Sequence, residues 1–171
     1  MNLTLRRANR SDIAAIEAVC VAAFSEYAAH SPKTIFEGYL EELRRLADYW
    51  EESEAYVVEE NGRILGSALF YPDISSEGLP LGWAGIRKLA VLPEARGRRI
   101  AQRLVKACLK AASDRGADVL ALHTASFAAP AVALYEGLGF RRCGEYDLLI
   151  PDPEGQGELR LLAYRIDITS D

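Results

Sequence analysis

Hydrophobic positions change their period several times along these 171 residues, and each change marks an element. Leu3 and Leu5 alternate with polar neighbours, which predicts a short strand over 2–7. With Ser11 or Asp12 as a cap, Ile13, Ile16, Val19, Ala23 and Phe24 recur at helical spacing towards residue 27. Ser31-Pro32 opens a second helix whose stripe is Phe36, Leu40, Leu43, Ala47 and Trp50. Its charged residues Glu37, Glu41, Glu42, Arg44, Arg45 and Asp48 point away as a solvated face. The period then falls to two: residues 55–59 and 64–71 flank Asn61-Gly62, a hairpin signal. Residues 72–82 form a loop by composition and leave room for substrate contact. Residues 83–91 read as a strand apolar enough for the middle of a sheet. A helix follows from Arg96 to Arg115, with Ile100, Leu104, Ala107, Cys108 and Ala111 on one side and Gly116 ending it. Val119 to Thr124 is a buried strand. A short helix then has Pro130 in its first turn, Leu134 and Leu138 facing in, and Gly137 and Gly139 at its end. Residues 140–143, 146–150 and 159–168 are strand pieces, with a turn over 151–157.

This order predicts an α/β fold with a mixed sheet in one domain spanning 1–171, a length too short for two comfortable cores. A hydrophobic content of 50% with 26% charged residues excludes a disordered chain. The formal charge is −5, but residues 87–110 carry eight basic side chains against Glu94, or +7, leaving −12 for the rest. A local basic island on an acidic body suits a compact anion better than nucleic acid, which needs charge spread over many phosphates and aromatics for stacking. Cys20, Cys108 and Cys143 are widely spaced and odd in number, which points to buried thiols in a reducing compartment. No apolar run at the N-terminus could serve as a leader, and none elsewhere could span a bilayer, so the expected location is cytoplasmic with no membrane partner. With only His30 and His123, and no cysteine at ligand spacing, no metal site is expected.

Residues 83–104 carry the candidate chemistry. A strand, a turn containing Pro93 and Gly97, and a helix start lie among Arg87, Arg96, Arg98, Arg99 and Arg103. The first turn of a helix has free N–H groups and a partial positive charge, the usual seat of a phosphate. The stretch lacks the Gly-x-Gly-x-x-Gly of dinucleotide binders and the Gly-Lys-Ser/Thr of nucleotide-triphosphate loops. Leu89-Ala-Val-Leu-Pro-Glu-Ala-Arg96-Gly-Arg-Arg-Ile-Ala101 instead resembles the acetyl-CoA signature of the GNAT N-acetyltransferase superfamily, Arg/Gln-x-x-Gly-x-Gly/Ala after a Leu-Ala-Val-like strand end. Downstream, Ala133-Leu-Tyr-Glu-Gly-Leu-Gly-Phe140 is similar to the family's Ala-Leu-Tyr-Glu-x-Leu-Gly-Phe block, and the resemblance covers nearly the whole chain.

The resemblance implies a GNAT-like acyl-CoA N-acyltransferase fold, a mixed but mostly antiparallel sheet flanked by about four helices. It implies transfer of an acetyl group from acetyl-CoA to a primary amine by direct attack in a ternary complex. Gly97, Arg98, Arg99, Ile100 and Ala101 would offer the diphosphate their N–H groups, with Arg96 nearby, and Leu89, Ala90 and Val91 would line the track of the pantetheine arm. Tyr135 aligns with the family tyrosine that gives a proton to the coenzyme A thiolate. Three positions depart from the pattern. Arg99 replaces the first motif glycine, where a helical backbone with the side chain outward is expected; Gly85 replaces a common glutamate base; Ala128 replaces an asparagine that bonds the coenzyme. His123, at the end of its strand, is the candidate substitute base, since imidazole titrates near neutrality, the other reading being a hydrogen-bonded core or strand-end histidine. Asp73 and Glu77 in the long loop are candidates for holding a cationic amine, small molecule or protein. A non-catalytic acyl-CoA sensor of the same fold is the alternative function, and the resemblance admits a homodimer.

Overall fold

The computed structural model describes residues 2–169, so Met1, Ser170 and Asp171 of the expected 1–171 domain lie outside the described residues. In chain order the elements are β1 (Thr4–Arg7), α1 (Ile13–Phe24), α2 (Lys33–Leu43), β2 (Glu54–Glu60), β3 (Arg63–Tyr71), β4 (Ala84–Val91), α3 (Ile100–Asp114), β5 (Val119–Ala125), α4 (Ala129–Gly137), β6 (Arg141–Arg142), β7 (Leu148–Pro151) and β8 (Glu158–Asp167). The sheet runs β1-β2-β3-β4-β5-β8-β6, and β7 pairs the other stretch of β8. Every pairing is antiparallel except β4 with β5. The mixed, mostly antiparallel sheet with its helices is as expected. No helix among the described residues is long and apolar enough to cross a membrane.

Helices cover both faces of the sheet. A Cβ at Gly66 of β3 would meet Ile100 and Leu104 of α3, whereas the next residue, Ser67, faces the opposite way and meets Cys20 of α1 at 3.9 Å. The principal core therefore joins Ile16, Val19 and Cys20 beneath one face to Ile100, Leu104 and Cys108 beneath the other. A smaller cluster of Ile74, Leu79, Val119, Ala121, Cys143 and Ala163 seats the loop between β3 and β4. That loop is tied as well as seated: both Asp73 carboxylate oxygens accept from the backbone, of Ser75 at 2.8 Å and of Gly82 at 3.1 Å.

Two helices differ from their expected limits. The second helix was expected to run on to Trp50, but α2 ends at Leu43 and a 3-10 turn covers Leu46–Glu52. The Leu46 N–H, which would continue the helix by donating to the Glu42 carbonyl, donates instead to the Glu17 carboxylate of α1 at 2.9 Å. The third helix starts at Ile100 rather than Arg96, because Gly97 (φ 77°) and Arg99 (φ 60°, ψ 24°) are left-handed. The helical backbone expected at Arg99 is thus corrected.

Candidate active site

The site begins with a defect in the sheet. Along β3, Leu69 faces Arg87 and Ser67 faces Ala90, so β4 carries one residue more than its partner over this interval. The extra residue bulges, with Lys88 at φ 53°. On its other side β4 pairs with β5 only at Ala84–Leu120 and Gly85–Ala121, while β5 stays paired with β8 from Val119 to Ala125. Beyond Gly85 the two parallel strands therefore part, and the backbone edge of Ile86–Val91 is left facing a gap.

Two adjoining cavities occupy that gap. The larger, about 820 Å³, is lined by Leu89, Ala90 and Val91 of β4, by Arg96, Gly97, Arg99, Ile100 and Ala101, and across from them by Ala128, Pro130 and Leu134. The start of α3 borders it. Arg99 makes no side-chain cap hydrogen bond, so the first-turn amides of Ile100, Ala101 and Gln102 have no intrahelical acceptor and receive no such cap. The smaller, about 350 Å³, is lined by His123, Thr124 and Tyr135, by Glu42, Glu77, Arg87 and Lys88, and by apolar side chains. Phe24, Tyr27, Leu89, Phe127 and Ala131 line both and form the neck between them. Tyr27 and Phe127 meet edge to face at 5.1 Å, and His30 stacks on Phe127 at 5.2 Å.

The gap brings most of the expected site residues together and leaves out two. Arg98 does not line the larger cavity: its guanidinium forks onto Glu60 at 2.7 and 3.2 Å. Arg96 lines it while bonded to Glu26 at 2.9 and 3.0 Å. Asp73 lines neither cavity, its carboxylate being spent on its own loop. Glu77 does line the smaller one and bonds Arg87 at 3.1 Å.

Tyr135 is 5% exposed, set edge-on to Phe140 at 5.6 Å. Burial, with the neighbouring Tyr27 phenol, pushes its hydroxyl well above the ordinary phenol value and keeps it protonated. The Nε2 of His123 lies 2.8 Å from the Tyr146 carbonyl oxygen. A carbonyl can only accept, so Nε2 carries the proton there, and in the neutral ring Nδ1 holds the lone pair. Gly85 pairs with Ala121, and His123, two residues on, shares that face of the sheet. A side chain at position 85 has no room there: its Cβ would come within 2.0 Å of Ile74 Cδ1 and 2.6 Å of Ile74 Cβ.

The charge run that begins on α2 is expected from its pattern to be a solvated face, and the structure corrects this at Glu42, which enters the smaller cavity. Its Oε1 accepts from Lys88 Nζ at 2.6 Å and from Arg87 Nη2 at 2.9 Å. Burial opposes its ionisation, but Lys88 and Arg87 outweigh this and hold the carboxyl below the usual range. The signal that finds Glu42 is the spacing Ile35, Tyr39, Glu42, all on the cavity side of α2. Gln102, one residue past the quoted signature, and the aromatic neck, contributed by α1, the turn after it and the segment between β5 and α4, lie outside the sequence motifs.

A sequence model of the acetyltransferase (GNAT) family matches residues 10–140. The chain is 32% identical over 139 residues, 80% of each chain, to YjgM, an uncharacterised N-acetyltransferase of Escherichia coli. It is 31% identical over 97 residues to mouse N-acetyltransferase 8F1, a match spanning 56% of this chain and 42% of that protein. Among solved structures, the ribosomal-protein-S18-alanine N-acetyltransferase of Escherichia coli superposes with a TM-score of 0.69 at 18% identity, covering 99% of this chain and 96% of that one. yncA of Salmonella typhimurium, solved with its cofactor acetyl-CoA, gives 0.68 at 21% identity, covering 100% and 96%.

Proposed function

The chain belongs to the acetyltransferase (GNAT) family and is an acetyltransferase, and we propose that it moves the acetyl group of acetyl-CoA to a primary amine by direct attack, with both substrates bound at once. One observation carries this reading: a single gap between β4 and β5 has an uncapped helix start at one end and Tyr135 with His123 at the other. The residues present fit the coenzyme. The amides of Ile100, Ala101 and Gln102 suit a diphosphate, Arg99 supplies charge beside Arg96 and its partner Glu26, and the free edge of Leu89–Val91 can accept and donate hydrogen bonds to an amide-bearing arm. When bound, acetyl-CoA supplies an activated thioester.

The chain's own residues then handle the protons. Nδ1 of His123 takes the proton from the amine nitrogen as it bonds to the acetyl carbon, and the Tyr135 hydroxyl gives a proton to the sulfur as the carbon–sulfur bond breaks. The products are the N-acetyl amine and the free thiol, and the protein is reset as His123 gives up the proton it took and Tyr135 regains the one it lost, through solvent. The Ile74 contact at Gly85 supports His123 in this role, because the neighbouring strand has no room for a carboxylate. The three free, buried cysteines support a reducing cytoplasmic setting. The expected single domain is part of the same reading.

Release of thiol from acetyl-CoA against a panel of primary amines tests the reaction. Amine-dependent release is the expected result, whereas coenzyme binding with no release on any amine would favour a sensor. His123→Gln is expected to lower kcat about a hundredfold and to remove the acid limb of the pH–rate profile. An unchanged profile would exclude His123 as the base.

A further inference from the structure

The bulge at Lys88 has a consequence for the acceptor. Residues 87 and 88 are consecutive, and in a regular strand their side chains would point to opposite faces. Here both reach the same atom, Oε1 of Glu42 on α2, and Arg87 Nη1 also reaches Glu77 Oε1 on the loop before β4. Two cations and two anions from three elements thus form one cluster in the lining of the smaller cavity, which Tyr135 and His123 also line.

The cluster is neutral in sum but not symmetric in what it offers. The Lys88 side chain is 3% exposed and its ammonium is held by Glu42. Both terminal nitrogens of Arg87 are engaged, one by each glutamate. Each glutamate spends only Oε1; the Oε2 atoms of Glu42 and Glu77 take no hydrogen bond among the described residues. An incoming group therefore meets free carboxylate oxygens and occupied cations. The rest of the lining is largely apolar, with Phe36, Tyr39, Ile74, Ile86 and Leu161.

We infer that the acceptor is a primary amine on an apolar body without a carboxylate, selected by Glu42 and Glu77, which attract the ammonium form and withhold Arg87 and Lys88 from acidic groups; this rests on the acetyl-transfer reading. The two glutamates act on the amine as it enters, and they exclude α-amino acids by repulsion as much as by lost contact. Glu77 is the specificity residue that can be changed with least disturbance, being a half-buried side chain on a short surface turn, whereas removing Glu42 strands the buried Lys88.

The test compares phenethylamine with phenylalanine, the same body with and without a carboxylate. Binding of each to the coenzyme A-loaded protein is measured by calorimetry and their acetylation by thiol release. The wild type is expected to prefer phenethylamine by at least about tenfold in both. Glu77→Gln is expected to shrink that preference by about tenfold by weakening the amine and admitting the amino acid, with the KM for acetyl-CoA unchanged. Glu42→Gln should shift it the same way, with coenzyme binding as the check on folding. Equal binding of the two probes, no binding of either, or a preference that Glu77→Gln leaves intact would overturn the inference. Discrimination in binding without thiol release would uphold it and overturn acetyl transfer; thiol release without discrimination would do the reverse.

Discussion

A phenol can donate a proton to a leaving thiolate only while it is protonated, and the surroundings of Tyr135 ensure that across the neutral range. Tyr135→Phe keeps the ring against Phe140 and removes the donor. It is expected to lower kcat about a hundredfold with little change in the KM for acetyl-CoA, measured by steady-state kinetics. Away from the site, Asp147 accepts from both terminal nitrogens of Arg142 at 2.5 and 2.6 Å and from the Ala163 N–H at 2.8 Å. These bonds, Arg142 foremost, hold its carboxyl far below the ordinary range, and Arg6 lowers that of Asp12. A carboxylate with a depressed folded-state pKa contributes stability above its unfolded value near 3.9 and loses it as pH falls through the folded value. Urea midpoints are therefore expected to drop below about pH 4. Asp147→Asn should cost about 2 kcal/mol at pH 7 and flatten that acid dependence. At this scale Tyr135 was legible because its motif surrounds it. Glu42 was not, because its helix carries apolar residues on two overlapping stripes and the charges around it read equally well as a solvated face.

Among the elements, the loop between β3 and β4 does most to shape the site. Its Ile74 fills the space above Gly85, so the loop decides which side chains β4 can display. Gly85→Ala is expected to destabilise the fold by about 1–3 kcal/mol through overpacking. Ile74→Ala alone should cost about 2–5 kcal/mol through its cavity. If the two side chains compete for one space, the double variant is less destabilised than the sum, by at least about 0.5 kcal/mol in a denaturant-based cycle. Additivity would mean that the loop yields without contact. Most elements were legible from period and turn residues, including the Asn61-Gly62 hairpin and the succession of strands and helices along the chain. The start of α3 and the end of α2 were not. A left-handed Arg99 leaves no trace in hydrophobic spacing, since arginine is an ordinary helix former. The stop after Leu43 depends on a carboxylate of another helix, Glu17, taking the Leu46 N–H.

On the scale of the molecule, the parting of β4 from β5 joins two binding spaces that separate parts of the chain create. The acidic total charge hides this, because the cations that matter are local and several are already matched: Arg98 by Glu60, Arg96 by Glu26, Arg87 by Glu42 and Glu77. The proposed direct attack makes a kinetic prediction. If the cavities share the neck of Phe24, Tyr27, Leu89, Phe127 and Ala131, amine and acetyl-CoA are bound together, and initial-velocity plots should intersect. A conjugate of phenethylamine joined through an acetyl bridge to the coenzyme A sulfur would then fill both spaces, and the link makes the second contact intramolecular. It is expected to bind at least about a hundredfold more tightly than coenzyme A, which at equal saturating concentration adds about 2.7 kcal/mol of stability. For a protein of this length, at about 2–4 °C per kcal/mol, that corresponds to roughly 5–11 °C of additional rise in Tm. A rise no larger than that with coenzyme A, together with parallel velocity plots, would mean that the amine enters only after the acetyl group has left the coenzyme, and would exclude direct attack across the neck.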